Sequence, residues 1–304
     1  MKIVLENNLQ GKLSESDLKK DDSPFKILMK IPLNELKPLI SDYVNAGSCS
    51  MFLFTLDETC IQSINNRLAS LSKLVKPADR KQGIKLTDIS FNENNREILI
   101  EHQLWQGEKI LPAWDSEKGP LFVSYNPIET IISTIYLDFG ILAVRTSQQD
   151  LANTIKNFDI NVLGGGDAQS LKIEGENISK ILEWASKIRH ANFRLQQEIS
   201  SLSMTSAQNM ETKEYVDLRK VEDFWNWKDK GELIGVYIIL SIKEDEDERI
   251  GFNLNFKNGK IFFKTAVNEI NIRWVLNELL REIKIERPRP SLQKTMFRYL
   301  ERGT

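Results

Sequence analysis

The clearest alternation of hydrophobic and polar positions lies in the last third of the chain. The run 236–242 is rich in β-branched residues, and 251–256 alternates strictly between apolar and polar side chains. Asn258 and Gly259 follow, and both residue types tolerate the positive φ of a tight turn. A return strand is therefore predicted over 261–265, which makes the segment a three-stranded antiparallel meander.

An amphipathic helix is predicted directly after the meander. Asn268 is a suitable N-cap, and five apolar residues follow at the spacing of one helical face: Ile272, Val275, Leu276, Leu279 and Ile283. The same order, a hairpin and then a helix, is predicted over 130–158, where Asp138 and Gly140 supply the turn. Because few aligned residues are identical, an internal repeat of 130–158 and 251–285 is a hypothesis.

The remaining elements follow from the same two periodicities. Strands are predicted over 25–31, 51–56, 84–91, 97–105, 121–125, 130–137, 141–146 and 171–174. Helices are predicted over 35–46, 61–71, 147–158, 178–199 and 218–225, of which 178–199 is the longest.

The polar stretch 200–211 is the best candidate for a domain boundary. It divides the chain into an N-terminal α+β domain over 1–205, with a further division near residue 120 left open, and a C-terminal domain over 206–304. The predicted fold class is α+β, with two mixed domains whose small, mostly antiparallel sheets pack against helices. A doubly wound parallel fold is the alternative for the first hundred residues, where strands and helices alternate.

Composition limits the partners and the compartment. The chain of 304 residues has 41 basic and 43 acidic side chains and a net charge of -2, so attraction to nucleic acid would have to come from a local patch. Cys49 and Cys60 are too few for a disulfide framework, and the first residues are too polar for a secretory signal. No apolar run approaches the roughly 20 residues that a membrane span needs. We expect a cytoplasmic protein, or a nuclear one in a eukaryote.

Residue types used in catalysis are sparse. The two histidines, His102 in a predicted strand and His190 in the longest predicted helix, lie in no catalytic motif, so a structural role is predicted for both. Cys49 and Cys60 lack zinc-site spacing with the histidines and are interpreted as buried apolar residues. No catalytic residue, metal or cofactor is expected.

Three local motifs resemble functional sites but also have simpler interpretations. The run 164–167, Gly-Gly-Gly-Asp, lacks the lysine of a P-loop and the spaced glycines of a dinucleotide site, so a left-handed connection is predicted. The acidic run 244–248 lacks the ligand pattern of a calcium loop and predicts a solvated hairpin tip. The third motif is Glu-x-Lys, which metal-dependent nucleases commonly carry on a strand.

Two pairs have the Glu-x-Lys spacing. Glu211 with Lys213 lies in the predicted linker, and Glu282 with Lys284 lies on a predicted helix.

The strongest indication of a partner is a basic, aromatic segment at the C-terminal end of the sequence. Its predicted binding residues for nucleic acid or an acidic protein are Arg287, Arg289, Lys294, Phe297, Arg298 and Arg302. Trp227 is added as a surface aromatic, whereas Phe224 and Trp225 are predicted to pack in the core. The simpler interpretation of 292–300 is an amphipathic helix that docks on its own domain.

These observations predict a non-catalytic binding or regulatory subunit of a larger intracellular assembly, associated with nucleic acid through the basic segment and with other protein subunits. Two alternatives stay open at the level of sequence. One is a metal-dependent nuclease or other hydrolase whose carboxylates come from distant parts of the chain. The other is a protein-interaction scaffold with no nucleic-acid partner. No membrane association is expected.

Overall fold

The structure, a computed structural model, describes residues 47–75, 83–105, 107–115, 119–125, 127–195, 200–210, 214–242, 249–283 and 285. The strands in these ranges are β1 Gly47–Leu56, β2 Gly83–Asn92, β3 Glu97–Trp105, β4 Lys109–Asp115, β5 Gly119–Tyr125, β6 Ile128–Tyr136, β7 Ile141–Arg145, β8 Ala168–Ser170, β9 Lys187–Leu195, β10 Ser201–Thr205, β11 Gly231–Ser241, β12 Arg249–Asn255 and β13 Lys260–Val267. The α-helices are α1 Glu58–Asn65, α2 Gln149–Leu163, α3 Glu176–Trp184, α4 Glu222–Lys230 and α5 Glu269–Glu282, with 3-10 helices at Leu68–Leu74 and Leu218–Lys220.

One large antiparallel sheet organises the fold. Ten strands follow the order β10-β9-β11-β12-β13-β1-β7-β6-β3-β2, and β8 pairs with the end of β1. The predicted α+β class is confirmed, as is the antiparallel pairing. The strands form one large sheet rather than two small ones, and every pairing between named strands is antiparallel, so the doubly wound alternative is wrong for the described part of the first hundred residues. Among the described strands, only β4 and β5 lie outside this sheet, and they form a separate hairpin.

The helices cover opposite faces of the two halves of this sheet. Alternation along β1 sends Phe52 and Phe54 into a core with α1 and α2, and Met51 and Leu53 into a second core with α3, α4 and α5. A single strand therefore belongs to both cores. The helix-free faces of the two halves lie on opposite sides of the sheet as a direct consequence.

The two predicted hairpin-and-helix units flank β1. Both β7 and β13 pair antiparallel with β1, so they run parallel to each other, and their helices α2 and α5 pack on opposite faces. A half-turn about the axis of β1 would exchange the two units. This arrangement is what a shared unit would produce, while a true sequence repeat stays a hypothesis.

The meander and its helix are confirmed in detail. Gly259 has φ 62 in the turn between β12 and β13, and the Asn268 side chain accepts a hydrogen bond from the backbone N–H of Asn271 at the start of α5. All five predicted apolar positions of the helix are buried. Local chemistry and burial agree here, which is why the sequence pattern was sufficient.

One predicted element is corrected, and one strand of the structure was not predicted. The long helix over 178–199 is wrong, because α3 ends at Trp184 and β9 follows. Ile188, Ala191, Phe193 and Leu195 are buried as a strand between β10 and β11, although their spacing also suits a helix face. Tertiary pairing overrode the helical periodicity. Strand β4 was not predicted at all; it contains Pro112 and pairs only with β5.

The strand over 25–31 and the helix over 35–46 lie outside the described residues. The predicted boundary near residue 205 falls between β10 and α4. Strands on both sides of it, β10 and β11, pair with β9 in the same sheet. The division into two domains stays a prediction.

Candidate functional site

The residues that the sequence singled out for binding are mostly outside the described part of the chain. Arg287, Arg289, Lys294, Phe297, Arg298 and Arg302 all fall there. Trp227, on α4, is partly buried against the core, with the Lys230 ammonium 5.5 Å from its ring centroid. Phe224 is buried as predicted, but Trp225 is 40% exposed, with its indole N–H donating to the Arg219 carbonyl oxygen at 2.8 Å. The core prediction for Trp225 is therefore wrong.

A helix-free sheet surface is the most distinctive feature of the C-terminal half. We call it the open face: the side chains of β9 to β13 that point away from α3, α4 and α5. Register places on it Lys187, His190, Asn192, Arg194, Ser201, Ser203, Thr205, Glu232, Gly235, Tyr237, Ile239, Ser241, Arg249, Gly251, Asn253, Asn255, Lys260, Phe262 and Lys264. No described helix packs on this surface, and most of these side chains are polar.

The open face is positively charged. A β-bulge between Tyr237 and Ile238 brings Arg189 onto it as well. Its basic side chains are Lys187, Arg189, Arg194, Arg249, Lys260 and Lys264. Among the described residues, the acidic side chains on or beside this face are Glu232 and Glu214. The Glu214 carboxylate lies 3.7 Å from the Lys187 ammonium and 3.9 Å from the Arg249 guanidinium. The excess is local, because the whole chain carries -2.

Arg189 forms the centre of an arginine-tyrosine cluster at one end of the open face. Its guanidinium carbon lies 3.2 Å from the Tyr215 ring centroid and 5.6 Å from that of Tyr237. The Lys264 ammonium is 5.3 Å from the same Tyr237 ring. Arg189 Nε is buried and has no hydrogen-bond partner among the described residues. A cavity of about 330 Å³ beside the cluster is lined in part by Arg189, Tyr215 and Tyr237.

A second cavity, of about 470 Å³, lies next along the same strands and has a different lining. Asn192, Asn253 and Asn255 supply amides, Phe262 an aromatic ring, and Lys260 a positive charge. The two cavities are lined by residues two positions apart on the same strands. On β11, Gly235 lines the second cavity and Tyr237 the first; on β12, Asn253 lines the second and Gly251 the first. Positions two apart on one strand are about 7 Å from each other, so the cavities are adjacent.

His102 is part of a buried network rather than of the open face. Its Nε2 donates to Asp159 Oδ1 at 2.6 Å, and Ser133 Oγ donates to Asp159 Oδ2 at 2.6 Å. In a Ser-His-Asp hydrolase the histidine lies between the other two residues, whereas here the aspartate does. All three are at most 1% exposed, and the buried, hydrogen-bonded position of His102 agrees with the structural role predicted for it. His190 lies in β9, on the open face, hydrogen-bonded to Thr205 and Asn192.

Both cysteines are buried and unpaired with each other, as predicted. Burial, with the charges of Asp57 and Asp167, raises the pKa of Cys60 to about 12, and burial also raises the pKa of Cys49. A thiol with a raised pKa stays protonated near neutral pH and is a poor nucleophile.

We therefore expect neither thiol to react with a disulfide reagent at about pH 8 in the folded protein, whereas both react after unfolding in urea. The Cys60→Ala variant, in which Cys49 is the remaining cysteine, assigns any residual signal. The pKa of Cys60 is higher in the folded protein than in the unfolded chain, so folding favours the protonated thiol. The stability that comes from this difference is present below about pH 9 and is lost as the pH rises towards 12. Rapid labelling of the native chain would contradict the buried thiols.

The positive φ values of the glycine run explain why glycines occur there. Gly164, Gly165 and Gly166 all have positive φ, and a Cβ on Gly166 would lie 2.5 Å from the Cβ of Cys60, so backbone geometry accounts for the run.

The nuclease alternative requires acidic side chains that meet at a metal ion. Within the described ranges, no three acidic, histidine or cysteine side chains come together as a metal-ion site. Glu211, Lys213, Lys284 and the acidic run 244–248 lie outside those ranges.

The open face was not predicted from the sequence, although its signal is present there. The polar residues of 251–256 and the Lys-Phe-Lys alternation at 260, 262 and 264 mark the side of each strand opposite the core. What the pattern lacked was the pairing that aligns them with β9 and β10.

The fold and this surface define the described part of the chain as an α+β protein with one large antiparallel sheet and a basic, helix-free face. No protein-family model matches the chain, and a search of curated proteins finds no match. The helices in the described part of the chain are too short or too polar to cross a lipid bilayer.

Proposed function

We propose that this protein is a non-catalytic binding or regulatory subunit that binds single-stranded nucleic acid on the open face. The observation that carries the proposal is the combination, on one helix-free sheet surface, of six basic side chains with exposed parts of Tyr237 and Phe262. Nothing in the proposal requires a chemical step.

The side chains of the open face suit the two parts of a nucleotide. Arginine and lysine bind phosphate oxygens, and aromatic rings stack on bases of any sequence. Stacking on a flat sheet requires bases that are unpaired, because duplex bases are already stacked on each other. A single strand lying across β9 to β13 would satisfy both requirements, so single-stranded rather than double-stranded ligand is proposed.

The basic segment with Arg289, Lys294 and Arg298 remains a second proposed contact for the same ligand. It follows α5 directly in the sequence. These residues lie outside the described part of the chain, so a separate variant measures their contribution.

The test is a fluorescence anisotropy titration with a labelled oligothymidine of about 15 nucleotides and a duplex of the same length, between about 50 and 200 mM salt. The test variant combines Arg194→Glu with Lys264→Glu, two exposed residues at opposite ends of the open face. Loss of two phosphate contacts is expected to weaken single-strand binding about 25-fold at 0.1 M salt and to reduce the salt slope by about 1.4.

The matched control carries the same change of charge on the helix-covered side, as Lys220→Glu with Arg281→Glu, and is expected to bind within about threefold of the unmodified chain. A third variant reverses Arg289, Lys294 and Arg298 and measures the contribution of the C-terminal segment. Equal losses in the test and control variants, or preferred binding of the duplex, would overturn the open face as the single-strand site.

Absence of binding at about 50 mM salt would overturn the nucleic-acid proposal as a whole. It would favour the alternative of a protein-interaction scaffold. One observation supports that alternative: the β4–β5 hairpin stands apart from the main sheet and exposes Ile110, Leu111 and Phe122 at 65%, 51% and 79%.

A further inference from the structure

The amide-lined cavity of the open face differs from the arginine-tyrosine cluster in what it offers a ligand. Its wall carries three asparagines and one aromatic ring, with a single positive charge from Lys260. Phosphate binding alone does not call for amides. Amide side chains present a donor and an acceptor side by side, which is the arrangement that recognises the edge of a base.

The hydrogen bonds among the described residues leave one of the three amides without a partner in that part of the chain. The Asn192 side-chain oxygen accepts from His190 at 3.0 Å and from Ser203 at 2.6 Å. The Asn255 side-chain oxygen accepts from the backbone N–H of Lys257 and of Asn258, at 2.9 and 3.3 Å. The Asn253 amide makes no hydrogen bond with another described residue, so both its donor and its acceptor face the cavity.

The backbone around Asn253 leaves room for a planar group. Gly235 on β11 pairs directly with Asn192 on β9 and with Asn255 on β12. Because glycine has no side chain, the space between these two asparagines is open. Phe262 is the direct cross-strand partner of Asn253. A base that hydrogen-bonds to Asn253 would therefore lie beside an aromatic ring, and Lys260, two positions along β13 from Phe262, would be near its phosphate.

We infer that this cavity takes one unstacked adenine base of the bound strand, read by the Asn253 amide and stacked on Phe262. The amide oxygen accepts from the adenine amino group, and the amide N–H donates to a ring nitrogen beside it. At the edge that carries N7, adenine presents the amino donor beside this acceptor, whereas guanine presents two acceptors, O6 and N7, and leaves the amide oxygen unpaired. The inference rests on the proposed function, because it names the base specificity of that same surface.

The experiment uses oligothymidines of about nine nucleotides whose central base is thymine, adenine, guanine or cytosine, titrated against the full chain at one salt concentration. The oligonucleotide with adenine is expected to bind about tenfold tighter than the one with guanine. In the Asn253→Ala variant this preference is expected to fall below about twofold.

The control is Asn226→Ala, the same substitution at an exposed position of α4 on the helix-covered side, which is expected to keep the preference for adenine. Thermal unfolding of both variants establishes that they fold alike. Equal binding of all four oligonucleotides, or a preference that persists in Asn253→Ala, would overturn the adenine site and leave salt-dependent single-strand binding intact. Failure of every oligonucleotide to bind would instead overturn the proposed function.

Discussion

The Asp159→Ala variant is expected to lose about 3 to 5 kcal/mol of the free energy of unfolding. Asp159 lies on α2 and is the common acceptor for His102 on β3 and Ser133 on β6, all within the core. Removing the carboxylate leaves the His102 Nε2 and the Ser133 hydroxyl without this partner in a region that water does not reach, because both residues are fully buried. Urea unfolding followed by circular dichroism measures the change in the denaturation midpoint.

Two other substitutions separate the network from the general effect of mutating α2. Asn157→Ala, at an exposed position two residues earlier on the same helix, is expected to stay within about 0.5 kcal/mol of the unmodified chain. Ser133→Ala removes one of the two donors and is expected to cost about 1 kcal/mol. A loss below about 1 kcal/mol for Asp159→Ala would show that the buried network contributes little to stability.

The Glu269→Ala variant is expected to lose about 3 kcal/mol, because it breaks a bidentate ion pair between the two halves of the sheet. Arg145, at the end of β7, donates from one terminal nitrogen to Glu269 Oε2 at 2.6 Å and from the other to Oε1. The two side chains are only 11% and 12% exposed, so the guanidinium left behind is poorly solvated. Arg273 lies 3.5 Å from the same carboxylate and loses this contact as well.

Glu278→Ala is the matched control on the same helix. Glu278 pairs with Arg281 at 2.6 Å, but that arginine side chain is 65% exposed, and solvent screens the pair. Its removal is expected to cost about 0.5 kcal/mol or less. Equal losses for Glu269→Ala and Glu278→Ala in urea unfolding would mean that burial of the Arg145–Glu269 pair adds nothing.

The sequence was most informative where one element carries its own boundary signals. The turn at Gly259, the cap at Asn268 and the buried stripe of α5 are all local, and each is present in the structure as predicted. The same holds for the hairpin of β2 and β3 and for that of β6 and β7. In these segments, turn chemistry and apolar periodicity favour one conformation.

The sequence misled where one set of apolar residues fits two periods. Ile181, Leu182, Ala185 and Ile188 continue a helical stripe, yet Ile188 already belongs to β9. The choice depends on β10 and β11, which lie on either side of β9 and supply its backbone hydrogen bonds. A pattern within one segment contains no information about such partners.

The same limit explains why the candidate site was not predicted. Arg189 meets Tyr215 and Tyr237 only because a bulge turns it onto the open face, and Asn192 shares a cavity with Asn253 and Asn255 only through the order of the strands. The buried partners His102 and Asp159 are 57 residues apart, and Arg145 and Glu269 are 124 apart. Spacing arguments reach only a few residues along the chain.

The sequence by itself determined the α+β class, the meander and α5, the burial of both cysteines and the absence of a local catalytic motif. These follow from periodicity, turn residues and composition, which act over one or two turns of structure. The tertiary structure decided that all the described strands except β4 and β5 form one sheet, that helices cover opposite faces of its halves, and that basic, aromatic and amide side chains meet on the open face. Strand order and register fix those features, and they depend on contacts between residues far apart in sequence.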